Sequence, residues 1–219
     1  MNILLGFSNI VVTFSLVVLA EKFFKKEGLY AWLAIATILA NVTVCKMIDL
    51  FGFTTSLGNV LFASTFLATD IMSEKYSKED AKRGVYLSVF SGITFIIITQ
   101  LTLLFVPSTD DVVNGAMTDL FAISVKTISA SMIMFFISNM ADIHLYNKLK
   151  EKYPEKMWFR NNVSTILSNC IENYFFNTLA FAGIFSFPVI ISIATTTTII
   201  EIVIALCDTP FLYLSKKLS

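Results

Sequence analysis

The 219-residue chain is 56% hydrophobic, carries only 15% charged residues and has no formal net charge. Its mean hydropathy is +0.75. Soluble domains are about 45–50% apolar and about 25% charged, so a chain this short cannot hide such a surface from water. No basic block offers a nucleic-acid face. The three cysteines, at unrelated spacings, offer neither a disulfide framework nor a Cys-x-x-Cys metal site.

Seven apolar helices are predicted, over residues 3–21, 29–48, 58–76, 81–106, 117–148, 161–183 and 188–214. Most approach or exceed the roughly 18 apolar residues that span a bilayer as a helix. The first has no positive residue ahead of its apolar run and three lysines after it, the order of a retained helix with its amino end outside rather than of a removable signal. Between the second and third helices, Gly52–Asn59 is polar and glycine-containing. It predicts a broken or re-entrant entry, which a bilayer tolerates only where protein or a water-filled cavity covers it.

The third helix sets Asp70 and Glu74 one turn apart on one face, with Glu74 nearer the water boundary. The fourth is largely apolar after Arg83 and, with the first, is expected to face lipid. The fifth carries Ser138, Asn139 and Asp142 on one stripe; His144, two residues further on, falls on another face. The sixth is the most polar: Thr165, Asn169, Glu172, Asn173 and Asn177 follow steps of three and four, with Glu172 roughly 15 Å from the helix start at 1.5 Å per residue. The seventh has Thr198, Glu201 and Asp208 on one stripe, and Pro210 predicts a kink there.

Positive charge orients the helices. Fourteen of the sixteen Lys and Arg residues fall in alternate connections or the tail; the other two are Lys46, at an outer end, and Lys126, inside the fifth span. By the positive-inside rule this is an all-α polytopic membrane bundle of seven transmembrane helices, amino terminus outside and carboxyl terminus cytoplasmic. A six-span bundle, the alternative, breaks the alternation. The longest loop is about a dozen residues, so residues 1–219 are expected to form a single integral membrane domain.

Charged groups inside a bilayer cost about 2.5–3.5 kcal/mol each on insertion scales and usually face a cavity or one another. The polar stripes therefore predict either interhelical hydrogen bonds or a hydrated site near the middle of the bundle, with Asp70, Glu74, Asn139, Asp142, His144, Asn169, Glu172, Asn173 and Glu201 as candidates for substrate binding. Arg83, Arg160, Asn161 and Asn162 fall at inner helix ends and are expected at the cytoplasmic rim, where Arg160 has Glu74 as a possible partner. A transporter fits best. Carboxylates beside amides suit a flat, donor-rich heterocycle with two parallel N–H groups, and Phe175, Phe176 or Trp158 could stack on it. An intramembrane aspartyl enzyme built on Asp70 and Asp142 is the weaker reading. One histidine and no His-Glu-x-x-His give no metal site, and no Gly-rich Lys-Ser/Thr loop provides ATP hydrolysis. No cofactor is expected.

The stretches "ANVTVCKMIDLFGF", "FLATDIMSEKYSKEDAKR", "ADIHLYNKLK", "WFRNNVSTILSNCIENYFFNTLAF" and "CDTPFLYL", taken together and in order, resemble the queuosine precursor transporter family, also called the VUT family. The resemblance runs from about Tyr30 to Leu214. It implies a plasma (inner) membrane importer of a 7-deazaguanine, such as queuine or its aminomethyl or cyano precursors, for tRNA modification. It also implies roles for Asp70, Glu74, Arg83, Asp142, His144, Arg160, Asn161 and Asn162. The alternative is a substrate-binding subunit of a vitamin or nucleobase uptake system with a separate energising module as partner; a homodimer is also compatible. The chain departs from the family pattern at "SNCIEN", where "SQxxDT" is expected, at Asn139 for Gln, at Ser77 for Gly, and at Glu201 for Lys.

Overall fold

A computed structural model describes residues 1–50, 53–121 and 125–218. The fold is all-α, with one small hairpin. Helix α1 (Asn2–Thr43) has two arms that meet at Lys25, whose φ of 55° and ψ of −139° reverse the chain. The arms turn so tightly that a Cβ on Gly28 would lie 2.1 Å from the Ala20 carbonyl oxygen. They correspond to the first two predicted spans. The Asn2 amide reaches the Asp49 carbonyl at 3.3 Å, just beyond the far end of the second arm.

The next segment differs from expectation. Strand β1 (Met47–Leu50) pairs antiparallel with β2 (Phe53–Ser56), Met47 opposite Ser56 and Leu50 opposite Phe53. The polar stretch is thus neither a continuous helix nor a re-entrant one. Its Thr and Ile residues favour extended backbone, and pairing satisfies the N–H and C=O groups that an irregular segment would leave bare. Phe51 and Gly52 lie outside the described residues, as does the Lys126 side chain.

Helix α2 (Gly58–Lys75) is the central element: thirteen of its eighteen residues are buried, and it packs on α1, on α3 (Lys78–Leu103), on α5 (Val125–Lys152), on α7 (Phe187–Leu206) and on α8 (Thr209–Lys217). Helix α3 crosses the second arm of α1 along Gly84, Ser88 and Gly92. A Cβ on Gly84 would lie 2.6 Å from Leu33 Cδ1, and one on Gly92 would lie 2.8 Å from Met132 Sδ. At the crossing, Ser88 shares a hydrogen bond with Thr37 and donates to the Leu33 carbonyl at 2.9 Å. Small residues at four-residue spacing let two helices approach closely where lipid gives no hydrophobic drive between them. Ser77 caps α3: its Oγ accepts from the Asp80 N–H at 3.0 Å.

In place of one helix over 117–148 stand the short α4 (Asn114–Phe121) and α5, with residues 122–124 outside the description. Helix α6 (Met157–Phe181) packs between α5 and α7. The last predicted helix is broken rather than bent. Helix α7 ends at Leu206, Cys207 and Asp208 bridge the gap, and Pro210 sits in the first turn of α8, where its missing N–H costs nothing.

Among the described residues, three helical stretches are long and apolar enough to cross a membrane: Asn2–Thr43, Lys78–Leu103 and Phe187–Lys217. The first arm of α1 exposes Leu4, Val11 and Val12, and α3 exposes Phe90, Ile97 and Ile98. Helices α2, α5 and α6 carry the polar stripes, which lowers their hydropathy and turns their polar groups toward one another.

Candidate functional site

Three polar clusters follow one another along the bundle interior. The first closes the basic end. Arg160, 1% exposed, pairs through Nη2 with Glu74 Oε2 at 2.5 Å and donates through Nη1 to the Tyr153 and Pro154 carbonyls at 3.2 and 2.6 Å. Its guanidinium lies 5.4 Å from the Tyr146 ring centre. Glu74 also receives the Tyr146 hydroxyl at 3.1 Å, Lys216 at 3.0 Å and Lys150 at 3.5 Å. Beside it, Glu21 is buried against Lys75 at 2.7 Å and the Tyr76 hydroxyl at 2.8 Å. The expected Glu74–Arg160 contact is therefore made at the basic end of the bundle, with the guanidinium itself buried. Arg83 is exposed.

The second cluster lies one turn inward. Asp70 of α2, Asp142 of α5 and Asp208 at the α7–α8 break are all fully buried. Asn161 of α6 donates to Asp208 Oδ1 at 2.6 Å, and Asn161 and Asn162 both reach Thr209 Oγ1, at 3.2 and 3.0 Å. Thr165 donates to Asp142 Oδ1 at 3.4 Å. Four of the quoted stretches thus meet here and at the neighbouring ion cluster: "TDIMSEKY", "ADIHLYNK", "WFRNN" and "CDTP".

The third cluster opens into a cavity of about 310 Å³ between α1, α2, α5, α6 and α7, at the end where the β-hairpin lies. Glu172, Glu201, Asn173 and Asn177 line it with Asn41 and Asn59, and Phe62, Phe135 and Phe176 supply aromatic walls. Asn173 Nδ2 donates to Glu201 Oε2 at 2.6 Å, and Asn177 folds back onto the Asn173 carbonyl at 2.7 Å. Glu172 Oε2 is buried without a hydrogen-bond partner. Most buried polar atoms are paired, so such an acceptor beside a cavity is ready for a donor. Sites of this kind occupy about 300–1,000 Å³ and combine apolar walls with a few convergent polar groups.

The placements redistribute the predicted residues. Glu172, Asn173 and Glu201 meet in the cavity. Asp70 and Asp142 do not line it, so the residue opposite Glu172 is Glu201. Asn139 and Asn169 are buried between the levels, each with its Oδ1 unpartnered, and Asn139 donates to the Phe135 carbonyl at 3.0 Å. Glu74 belongs to the ion cluster. His144 is exposed and stands apart from all three clusters, as its two-residue offset from Asp142 requires. Phe176 lines the cavity, whereas Phe175 and Trp158 are exposed at 60% and 54%. Sequence reasoning did not single out Asn41, Asn59 or Glu21. Each is a lone polar residue near an apolar run, and only its neighbours across the bundle give it a role. Among the described residues no group of three or more His, Cys, Asp or Glu side chains is arranged to hold a metal ion.

Residues 56–215, from the end of β2 into α8 and including most residues of the three clusters, match the family described as "Putative vitamin uptake transporter". The chain is 32% identical over 210 residues to the "Probable queuosine precursor transporter" of Bacillus subtilis, covering 95% of this chain and 92% of that protein. It is 23% identical over 154 residues to the "Queuosine precursor transporter" of Escherichia coli, covering 68% and 67% of the two chains. No solved structure matches it significantly. A likeness of that extent, over helices apolar enough to enter a bilayer, shows that this chain is a membrane protein of the queuosine precursor transporter family.

Proposed function

We propose that this protein imports a 7-deazaguanine queuosine precursor across the plasma membrane and that the cavity at Glu172 is where the base binds. The observation that carries the reading is the buried, unpartnered Glu172 Oε2 facing a cavity that also holds amides and phenylalanines. A guanine-like ring edge presents adjacent N–H donors, which one carboxylate accepts in parallel. Asn173 and Asn177 supply donors and acceptors for the carbonyl and ring nitrogens, and Phe62, Phe135 and Phe176 give a flat ring its apolar contact. Glu201 brings a second negative group to the same cavity. It suits the amine borne by queuine and by the aminomethyl precursor, and the neutral cyano compound gains nothing from it.

In this reading residues 1–219 act as one membrane domain of seven spans: the two arms of α1, then α2, α3, α5, α6 and α7 with α8. The amino terminus is outside and the carboxyl terminus cytoplasmic. Support comes from the end of the bundle where Lys26, Lys75, Lys150, Arg160 and Lys216 all find acidic partners, while the β-hairpin end holds the acidic connection at Asp110 and Asp111. Purified protein titrated with queuine, the aminomethyl compound, the cyano compound and guanine tests the substrate. Saturable binding of a deazaguanine is expected; binding of none of them overturns the reading. Uptake by the protein alone in liposomes separates a self-sufficient carrier from a subunit that needs an energising module.

A further inference from the structure

Asp70 and Asp142 do not line the cavity, yet both are fully buried acids that the substrate site leaves unused. Their carboxyl groups face one another where α2 packs on α5. Neither Asp70 oxygen meets an N–H or O–H of the protein, and Asp142 Oδ2 meets none either. Asp208, at the α7–α8 break, adds a third acid and keeps its Oδ2 unpartnered. Arg160, on α6, is a cation that acts on Asp70; its Nη atoms are committed to Glu74 and to two backbone carbonyls, and its Nε is buried without a partner. Tyr146, on α5, spends its hydroxyl on Glu74.

Two ionised carboxylates cannot rest against each other away from water without a cation between them. A proton is the cation that needs no ligand beyond the two carboxyl oxygens themselves. We infer that Asp70 and Asp142 form a proton-binding site, distinct from the substrate cavity, whose occupancy couples transport to the proton gradient. A proton on one carboxyl supplies the O–H that its neighbour accepts and takes the pair from two negative charges to one. Its loss to water leaves two anions that repel. The pair ties α2 to α5, and the same two helices supply Phe62, Thr65, Ser131 and Phe135 to the cavity wall. Gaining or losing the proton therefore draws together or drives apart two walls of the cavity, a bistable arrangement of the kind that alternating access needs.

The coupling part rests on the transport reading; the proton site does not, and two measurements keep them apart. In the purified full-length protein, infrared difference spectra across a pH step should show the C=O band of a protonated carboxyl that disappears in both Asp70→Asn and Asp142→Asn, each confirmed as folded by gel filtration. In liposomes with acid outside, the wild type should accumulate the aminomethyl deazaguanine in response to the gradient. Asp70→Asn, which mimics the protonated acid, should bind that compound with wild-type affinity yet lose the gradient response. If the wild-type spectrum loses no carboxyl band in either variant, the proton site is overturned. A wild type indifferent to the gradient, or an Asp70→Asn variant that accumulates as the wild type does, overturns the coupling. If no deazaguanine binds the wild type at all, the substrate reading fails, and the infrared measurement still decides the proton site.

Discussion

Arg160 and Glu74, 86 residues apart in sequence, form a buried ion pair at the basic end of the bundle, and the Tyr146 ring and hydroxyl hold both partners. Removing one member of a buried pair typically costs about 3–5 kcal/mol because the other charge is stranded. Arg160→Lys keeps the charge but loses the planar fork that reaches Glu74 and two carbonyls at once. It should lower thermal stability and uptake together. Unchanged melting and uptake in Arg160→Lys would mean that the arginine is only a topological anchor.

Glu172→Gln tests the cavity. It keeps the side chain's size but turns half the acceptor into a donor, a mismatch for a ring edge that offers two N–H groups. The expected loss is that of a charge-assisted hydrogen bond, about 1.5–3 kcal/mol, or roughly 10- to 150-fold in affinity. Glu172→Asp, the residue of the family pattern, should still bind. Isothermal titration on well-folded variants measures both, and wild-type affinity in Glu172→Gln would refute direct contact.

Glu201 should discriminate among precursors. In Glu201→Gln the side-chain oxygen can still accept from Asn173, so the fold is kept while the charge is removed. Affinity for queuine and the aminomethyl compound should fall about tenfold or more, as expected for a charged hydrogen-bonded partner, and affinity for the cyano compound should hardly change. Equal losses for all three compounds would place Glu201 in a structural role.

The topology is tested by single cysteines in a background lacking Cys45, Cys170 and Cys207. A cysteine at exposed Thr109 should react with an impermeant reagent on intact cells, and one at exposed Lys152 only after permeabilisation. The reverse pattern sinks the amino-terminus-outside arrangement.

The α1–α3 crossing makes a stability prediction. Gly84→Val forces branched carbons onto Leu33 and Met72, which already lie within 3.3 Å of where its Cβ would stand. Overpacking of this kind costs about 1–3 kcal/mol. Melting in detergent should fall, while Gly115→Val, whose added Cβ meets nothing within 4 Å, should leave it unchanged.

Some of this protein follows from one-dimensional information. Apolar run length and the alternation of Lys and Arg depend only on local composition, because a bilayer imposes a fixed thickness and the membrane surfaces a fixed charge asymmetry. Most of the helices, a disturbance at Pro210 and the polar stripe of α6 were therefore legible residue by residue, and the quoted motifs carried the family, whereas the full break at Cys207–Asp208 and the division of 117–148 were not. Which stripes meet was not legible. A helical period puts Glu172 and Asn173 beside Asn177, but it cannot say that Glu201 closes the same cavity while Asp70 and Asp142 pair a level below. That depends on how α2 threads between α1, α5 and α7, set by the close approach at Gly84 and Gly92 and by the reversal at Lys25. The β-hairpin escaped for a related reason: four-residue strands carry too little periodicity to register against apolar helices, and only their pairing, residue against residue, makes them stable.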